Sequence, residues 1–163
     1  MGSNLSVFDV FGMLGAGGTL VLSTERDMSC GGAPRKVNPD PKLWVEMIEK
    51  HNISIWNTVP AFMEIIVNYC DQSRRMLPSS LRVVMMSGDW IPPTLPERIH
   101  SMSSNKNGIR VISMGGATEA AIWSNMYEIP KVLSPDWSSI PYGRPLRNQT
   151  MYILNSVHQR API

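Results

Sequence analysis

Ile109-Arg-Val-Ile-Ser-Met114 runs straight into Gly115-Gly-Ala-Thr-Glu-Ala-Ala-Ile-Trp-Ser124, and this junction decides how the chain is read. The first six residues are rich in β-branched and apolar side chains and predict a buried strand. Gly115 and Gly116 then let the backbone turn tightly and approach a ligand with no Cβ in the way. Successive N–H groups in such a turn can form a concave anion nest. Ala117 follows, Thr118 adds a hydroxyl, and Glu119 adds a hard oxygen of the kind Mg²⁺ prefers. Together they equip the chain to hold a metal-bound phosphate, although a Gly-Gly turn before a helix is often only a turn.

Working outward, the flanking segments predict strands alternating with helices. Leu5 to Leu14 has apolar residues at helical spacing, with Leu5, Phe8, Phe11 and Leu14 on one face. Thr19–Ser23 reads as a short strand and Glu25 to Pro39 as a polar surface loop. Asp40-Pro41 supplies an N-cap and a first-turn proline for a helix through about Lys50. Strand Ile53–Asn57, helix Ala61–Asp71, strand Leu81–Ser87 and a partial helix within Pro92–Met102 come next. A short helix is expected after Glu119 and a last strand at Met151–Leu154. This order predicts an α/β fold, a doubly wound and mostly parallel sheet with helices on both faces. Ligands in such sheets gather outside the carboxyl ends of the strands. Those ends carry Asn57-Thr58, Ser87-Gly88-Asp89 and Met114-Gly115-Gly116.

Composition narrows the functional classes. The 163 residues make one domain by length, 43% hydrophobic and 17% charged. A formal net charge of +2, with no basic run carrying aromatics, argues against nucleic acid. The apolar stretch from Val7 to Leu22 is broken by Asp9 and several glycines, so no membrane span is expected. Cys30 and Cys70 have no metal-ligand spacing and suit a reducing, cytoplasmic setting. His51, His100 and His158 each read as solvated. Met1–Ser3 looks like an appended leader, and both ends read as cuts.

Several stretches, in order, carry a family resemblance: Leu5-Ser-Val-Phe-Asp-Val-Phe-Gly12, Thr58-Val-Pro-Ala61, Ser87-Gly-Asp89, Gly116-Ala-Thr-Glu119 and Ile140-Pro-Tyr-Gly-Arg-Pro-Leu-Arg-Asn-Gln-Thr-Met-Tyr-Ile-Leu154. The chain resembles part of an adenylation domain of a nonribosomal peptide synthetase, within the adenylate-forming superfamily. The resemblance implies residues 1–163 as a single flavodoxin-like subdomain in the middle of the large N-terminal lobe. It implies activation of a carboxylate by ATP and Mg²⁺, then transfer to the phosphopantetheine thiol of a carrier protein. By the same resemblance, Thr118 binds phosphate and Glu119 the metal, while Gly88, Asp89, Gly115, Gly116 and Ala117 surround the nucleotide. The family usually has an aromatic residue where Gly115 stands. An earlier phosphate loop, a later ribose-binding aspartate and a C-terminal lid lysine are absent from this chain, so it should not turn over alone.

The side-chain pocket maps by the same motifs onto Asn4, Leu5, Phe8, Asn57, Met85, Ser87, Met114, Ile122 and Trp123. That set resembles cysteine-activating domains, whose small thiol suits polarisable sulfur neighbours and an aromatic wall. Taken alone, each of Leu5, Phe8, Met85, Met114 and Ile122 reads better as ordinary core. Asn4 departs from the family's aspartate and cannot supply an ion pair to a substrate ammonium. The order of expectation is therefore cysteine, then another small amino acid, then an acid with no ammonium. Alternatives are a fragment of an acyl- or aryl-CoA ligase, or a non-catalytic flavodoxin-like binding module. Expected partners are the amino acid, the rest of the adenylation domain and the carrier domain, with self-association through bared apolar surface.

Overall fold

The structure is a computed structural model that describes residues 5–22, 39–120 and 122–161. Its centre is a five-stranded sheet of order β1-β2-β3-β4-β5, formed by Ile55–Thr58, Val83–Met86, Arg110–Gly115, Asn125–Ile129 and Arg144–Pro145. The first three strands are parallel, in the register Thr58↔Met86↔Ser113. β4 and β5 are antiparallel, so the expected parallel sheet extends only through β3. The cause is local: a short loop after Gly115 returns the chain immediately beside β3, and a parallel neighbour would need a long crossover.

Helix α1 is wound in three consecutive pieces, α-helical Leu5–Val7, π-helical Phe8–Gly12 and α-helical Met13–Gly15. Helices α2 (Pro41–Lys50), α3 (Pro60–Gln72) and α4 (Thr94–Ser101) follow. Asp40 caps α2 as its sequence predicts, its carboxylate accepting the Leu43 N–H at 3.2 Å. Proline opens both α2 and α3, where its missing N–H costs nothing.

Strand side chains alternate between two cores, as the twofold strand period requires. Val84, Met86, Val111 and Ile129 face one way and pack with Val45 and Ile48 of α2, Met63, Ile66 and Val67 of α3, and Leu95 and Ile99 of α4. All three helices therefore cover one face. Met85, Ile112 and Met114 face the other way, packing with Trp123, Phe8, Ile55 and Leu146. Here α1 and the chain after β3 form the second layer.

Four local expectations differ from the structure. Phe11 is 74% exposed and Leu14 55%, because the wider i→i+5 turn of the π segment shifts them off the face that buries Phe8. Residues 19–22 have no regular structure, and Ser23 lies outside the described residues, as does the loop at 25–38. Met151–Leu154 is not a strand but makes one isolated bridge, Leu154 to Arg160. Asn155 explains this by accepting the N–H groups of Val157 at 3.0 Å and Gln159 at 2.9 Å, which captures the backbone into a turn. His100 is half-buried rather than solvated, and both its ring nitrogens are enclosed. Burial, aided by the charge of Lys131, pulls its pKa below the ordinary histidine value, and the Ile109 and Ile129 backbone opposes that shift only in part.

Candidate functional site

Because β1, β2 and β3 are parallel and in register, their carboxyl ends form one rim. Asn57 and Thr58, Ser87 to Asp89, and Met114 to Gly116 all stand along it. The Ser87 N–H reaches the Thr58 carbonyl at 3.2 Å, which ties the first two strand ends together. A cavity of about 430 Å³ opens at the rim, lined by Gly88, Asp89, Met114, Gly115, Gly116 and Tyr142 among others. Gly88 turns there with φ +87°, in the left-handed region that favours glycine. Asp89 is exposed and accepts the N–H of Trp90 at 2.7 Å.

The turn after β3 is tighter than its sequence alone discloses. A Cβ on Gly116 would overlap the Ile122 carbonyl and stand 2.7 Å from the Cα of Trp123. The loop folds onto itself through Ala120 and Ile122, whose N–H groups both reach the Ala117 carbonyl, at 3.0 and 3.3 Å. Ile122 pays for this closure with φ +83°, a conformation that a β-branched residue rarely adopts. The expected helix after Glu119 is a single 3₁₀ turn, Thr118–Ala120. Thr118 and Glu119 are exposed on it, beyond the cavity lining, which reaches this turn at Gly116. Glu119 thus presents one carboxylate to solvent. Such a group fits Mg²⁺, which commonly takes one or two protein carboxylates and completes its shell with water and substrate phosphate. Among the described residues no group of three His, Cys, Asp or Glu side chains forms a cage that would hold a metal without a phosphate.

Most of the predicted side-chain pocket converges on the face opposite the three helices. Met85, Met114 and Trp123 are buried there, with Phe8 and Ile122 packed against them. The Phe8 and Trp123 rings meet at 4.6 Å between centroids, tilted by 53°. Asn57 sits beside Met85 across β1 and β2, and its Nδ2 donates to Asp9 Oδ1 at 2.8 Å. Phe8, Asp9 and Asn57 also line a second hollow of about 680 Å³ between α1 and β1. Three polar atoms of the set are enclosed with no partner: Asn57 Oδ1, Ser87 Oγ and Trp123 Nε1. Enclosed polar atoms are costly when unpaired, so they favour a polar guest. Asn4 lies outside the described residues; Leu5 is in α1, where only its backbone is described.

The AMP-binding enzyme family matches residues 1–162. The chain belongs to this family. It is 40% identical over 159 residues to the "Anguibactin system regulator" of Vibrio anguillarum, covering 98% of this chain and 14% of that protein. It is 42% identical over 160 residues to "Bacitracin synthase 1" of Bacillus licheniformis, covering 98% of this chain and 3% of that protein. Among solved structures, the nonribosomal peptide synthetase FmoA3 in its alpha-methyl-L-serine-AMP bound form superposes with a TM-score of 0.81 at 34% identity. That match covers 98% of this chain and 16% of the FmoA3 chain. The chain therefore spans a small part of each relative.

Within this AMP-binding segment, four site residues escape a sequence reading. Asp9 is legible only as a polar break in an apolar run, although it contacts Asn57. Asn125 fills the space above Gly115, where an added Cβ would stand 2.5 Å from its Oδ1, and its Nδ2 donates to the Tyr142 carbonyl. That buried amide occupies the room an aromatic residue at 115 would need, and it pins Tyr142 at the cavity edge. Gln149 Nε2 donates to the Trp123 backbone carbonyl at 3.1 Å. Tyr142 and Gln149 lie in a stretch that carries the family resemblance, but nothing local pairs Tyr142 with Asn125 or Gln149 with Trp123, seventeen and twenty-six positions away.

Proposed function

We propose that this chain is the substrate-selecting part of an amino-acid adenylation domain in a nonribosomal peptide synthetase, and that its acid is cysteine. The carboxylate oxygen of the acid attacks the α-phosphorus of ATP, the bond to the bridging oxygen breaks, and pyrophosphate leaves. The thiol of a carrier-bound phosphopantetheine then attacks the acyl carbon, forming a thioester and releasing AMP. The observation that carries the proposal is the shared rim. The parallel register brings the ends of β1, β2 and β3 together, with a glycine-lined cavity beside a compact Met, Phe and Trp cluster. A relative that binds an alpha-methyl-L-serine adenylate supports a small polar amino acid as the guest.

In this reading Gly88, Asp89, Gly115, Gly116 and Ala117 take the nucleotide, and Thr118 donates to a phosphate oxygen. Glu119 holds Mg²⁺, which when bound offsets charge on the phosphates. Asn57, Met85, Ser87, Met114, Ile122 and Trp123 surround the side chain, with Asn4, Leu5 and Phe8 contributed from the start of the chain. Fixed N–H groups at the rim act where negative charge develops and need no reorganisation. Asn4, which offers no negative charge to an ammonium, supports a second reading in which the acid carries an α-hydroxyl or α-keto group.

ATP–pyrophosphate exchange in the intact adenylation domain, run across the amino acids and their α-hydroxy counterparts, tests both. L-cysteine should support the fastest exchange, and Glu119→Ala should lower it by at least about a hundredfold, the scale typical of losing a transition-state charge contact. Exchange unchanged by Glu119→Ala would remove that residue from the site.

A further inference from the structure

We infer that Asp9 is a positioning residue for substrate selection: it fixes the orientation of the Asn57 amide, so that the pocket offers an acceptor and prefers a side chain with a thiol or hydroxyl proton. The inference rests on the adenylation reading above. Asn57 Nδ2 donates to Asp9 Oδ1 at 2.8 Å, so the NH₂ end of the amide faces Asp9. The planar amide then turns Oδ1 away from Asp9, where it lies enclosed with no partner. β1 places Asn57 beside Met85 of the cluster that holds Trp123, and Asn57 shares the lining of the hollow between α1 and β1 with Phe8. The π-helical turn beginning at Phe8 lets two consecutive residues of α1 serve one site, Phe8 on the indole and Asp9 on the amide.

An enclosed acceptor discriminates by what it is left without. A guest with a proton to donate satisfies Asn57 Oδ1; an isosteric guest with a methyl in that place buries it unpaired. Without the carboxylate, the amide can rotate and present NH₂ to the pocket, which repels a donor. Asp9 would then act on selectivity through Asn57 without touching the substrate.

The test compares L-cysteine with L-2-aminobutyrate, its near-isostere lacking the thiol, in pyrophosphate exchange by the intact adenylation domain. The variants are Asp9→Leu, which keeps the bulk but offers no acceptor, and Asp9→Ala, which removes both. Either variant that folds should lower kcat/KM for cysteine about tenfold and leave that for aminobutyrate within about twofold, the scale of one lost neutral hydrogen bond. An equal loss for both acids, or an unmoved ratio, overturns the role of Asp9. If the unaltered domain exchanges pyrophosphate with none of the amino or hydroxy acids, the adenylation reading fails instead.

Discussion

Gly116 shows how much a single hydrogen can decide. Its missing Cβ leaves room for the Ile122 carbonyl and the Trp123 Cα, and hence for the turn that delivers the indole to Phe8. Gly116→Ala should therefore destabilise the fold by about 1–3 kcal/mol, the usual cost of forced overpacking against backbone. Urea unfolding would read this as a lower midpoint with an unchanged slope. A midpoint equal to that of the parent would mean the loop relaxes freely. At this scale the sequence is partly legible. The glycine pair announces a close backbone approach, but not what approaches. Asp9 and Asn57 are forty-eight positions apart, and no pattern in either segment pairs them. Asn125 is as silent, since its contact with Gly115 exists only once the hairpin closes.

At the scale of elements, α2, α3 and strands β1 to β3 are legible because local signals and tertiary demands agree. Asp40-Pro41 caps a helix that indeed starts there, and Leu81–Ser87 shrinks only to Val83–Met86. β4 is not legible, because Asn125-Met-Tyr-Glu-Ile129 is short and without a full apolar face. Its pairing with β3 supplies what its own sequence lacks, including the Arg110–Glu128 ion pair at 2.7 Å. Met151–Leu154 errs in the opposite direction: an apolar run reads as a strand, yet no neighbouring strand pairs with it and Asn155 turns the chain back. Helix α4 carries a pH consequence. Burial lowers the pKa of His100, so the folded state binds fewer protons than the unfolded state once the pH nears the ordinary histidine value. Stability should thus fall as the pH drops below the ordinary histidine range. His100→Gln should flatten that part of the profile in thermal melts; a variant as acid-sensitive as the parent would assign the effect to other groups.

The whole molecule has two unequal faces. One is sealed by α2, α3 and α4 over a continuous apolar core. Among the described residues, the other is closed by α1 and the segment after β3, around the smaller cluster that holds the candidate acyl pocket. Tyr152, Ile153, Leu154 and Val157 stand exposed near the end of the described chain, the kind of surface on which the expected self-association would rest. None of the described helices is long and apolar enough to cross a membrane. The α/β class was legible from the alternation of strand and helix signals. The change from parallel to antiparallel at β4 was not, since the short return after Gly115 looks the same in sequence as the start of another helix.

The most direct measurement is a crystal structure of the intact adenylation domain with a non-hydrolysable cysteinyl-adenylate analogue, a sulfamoyl adenosine ester mimic. The expected result places the adenosine against Gly88, Asp89, Gly115 and Gly116, and the cysteinyl sulfur among Phe8, Met85 and Trp123 within hydrogen-bond reach of Asn57 Oδ1. An analogue bound away from the carboxyl ends of β1 to β3, or a side chain that leaves that cluster closed, would contradict it.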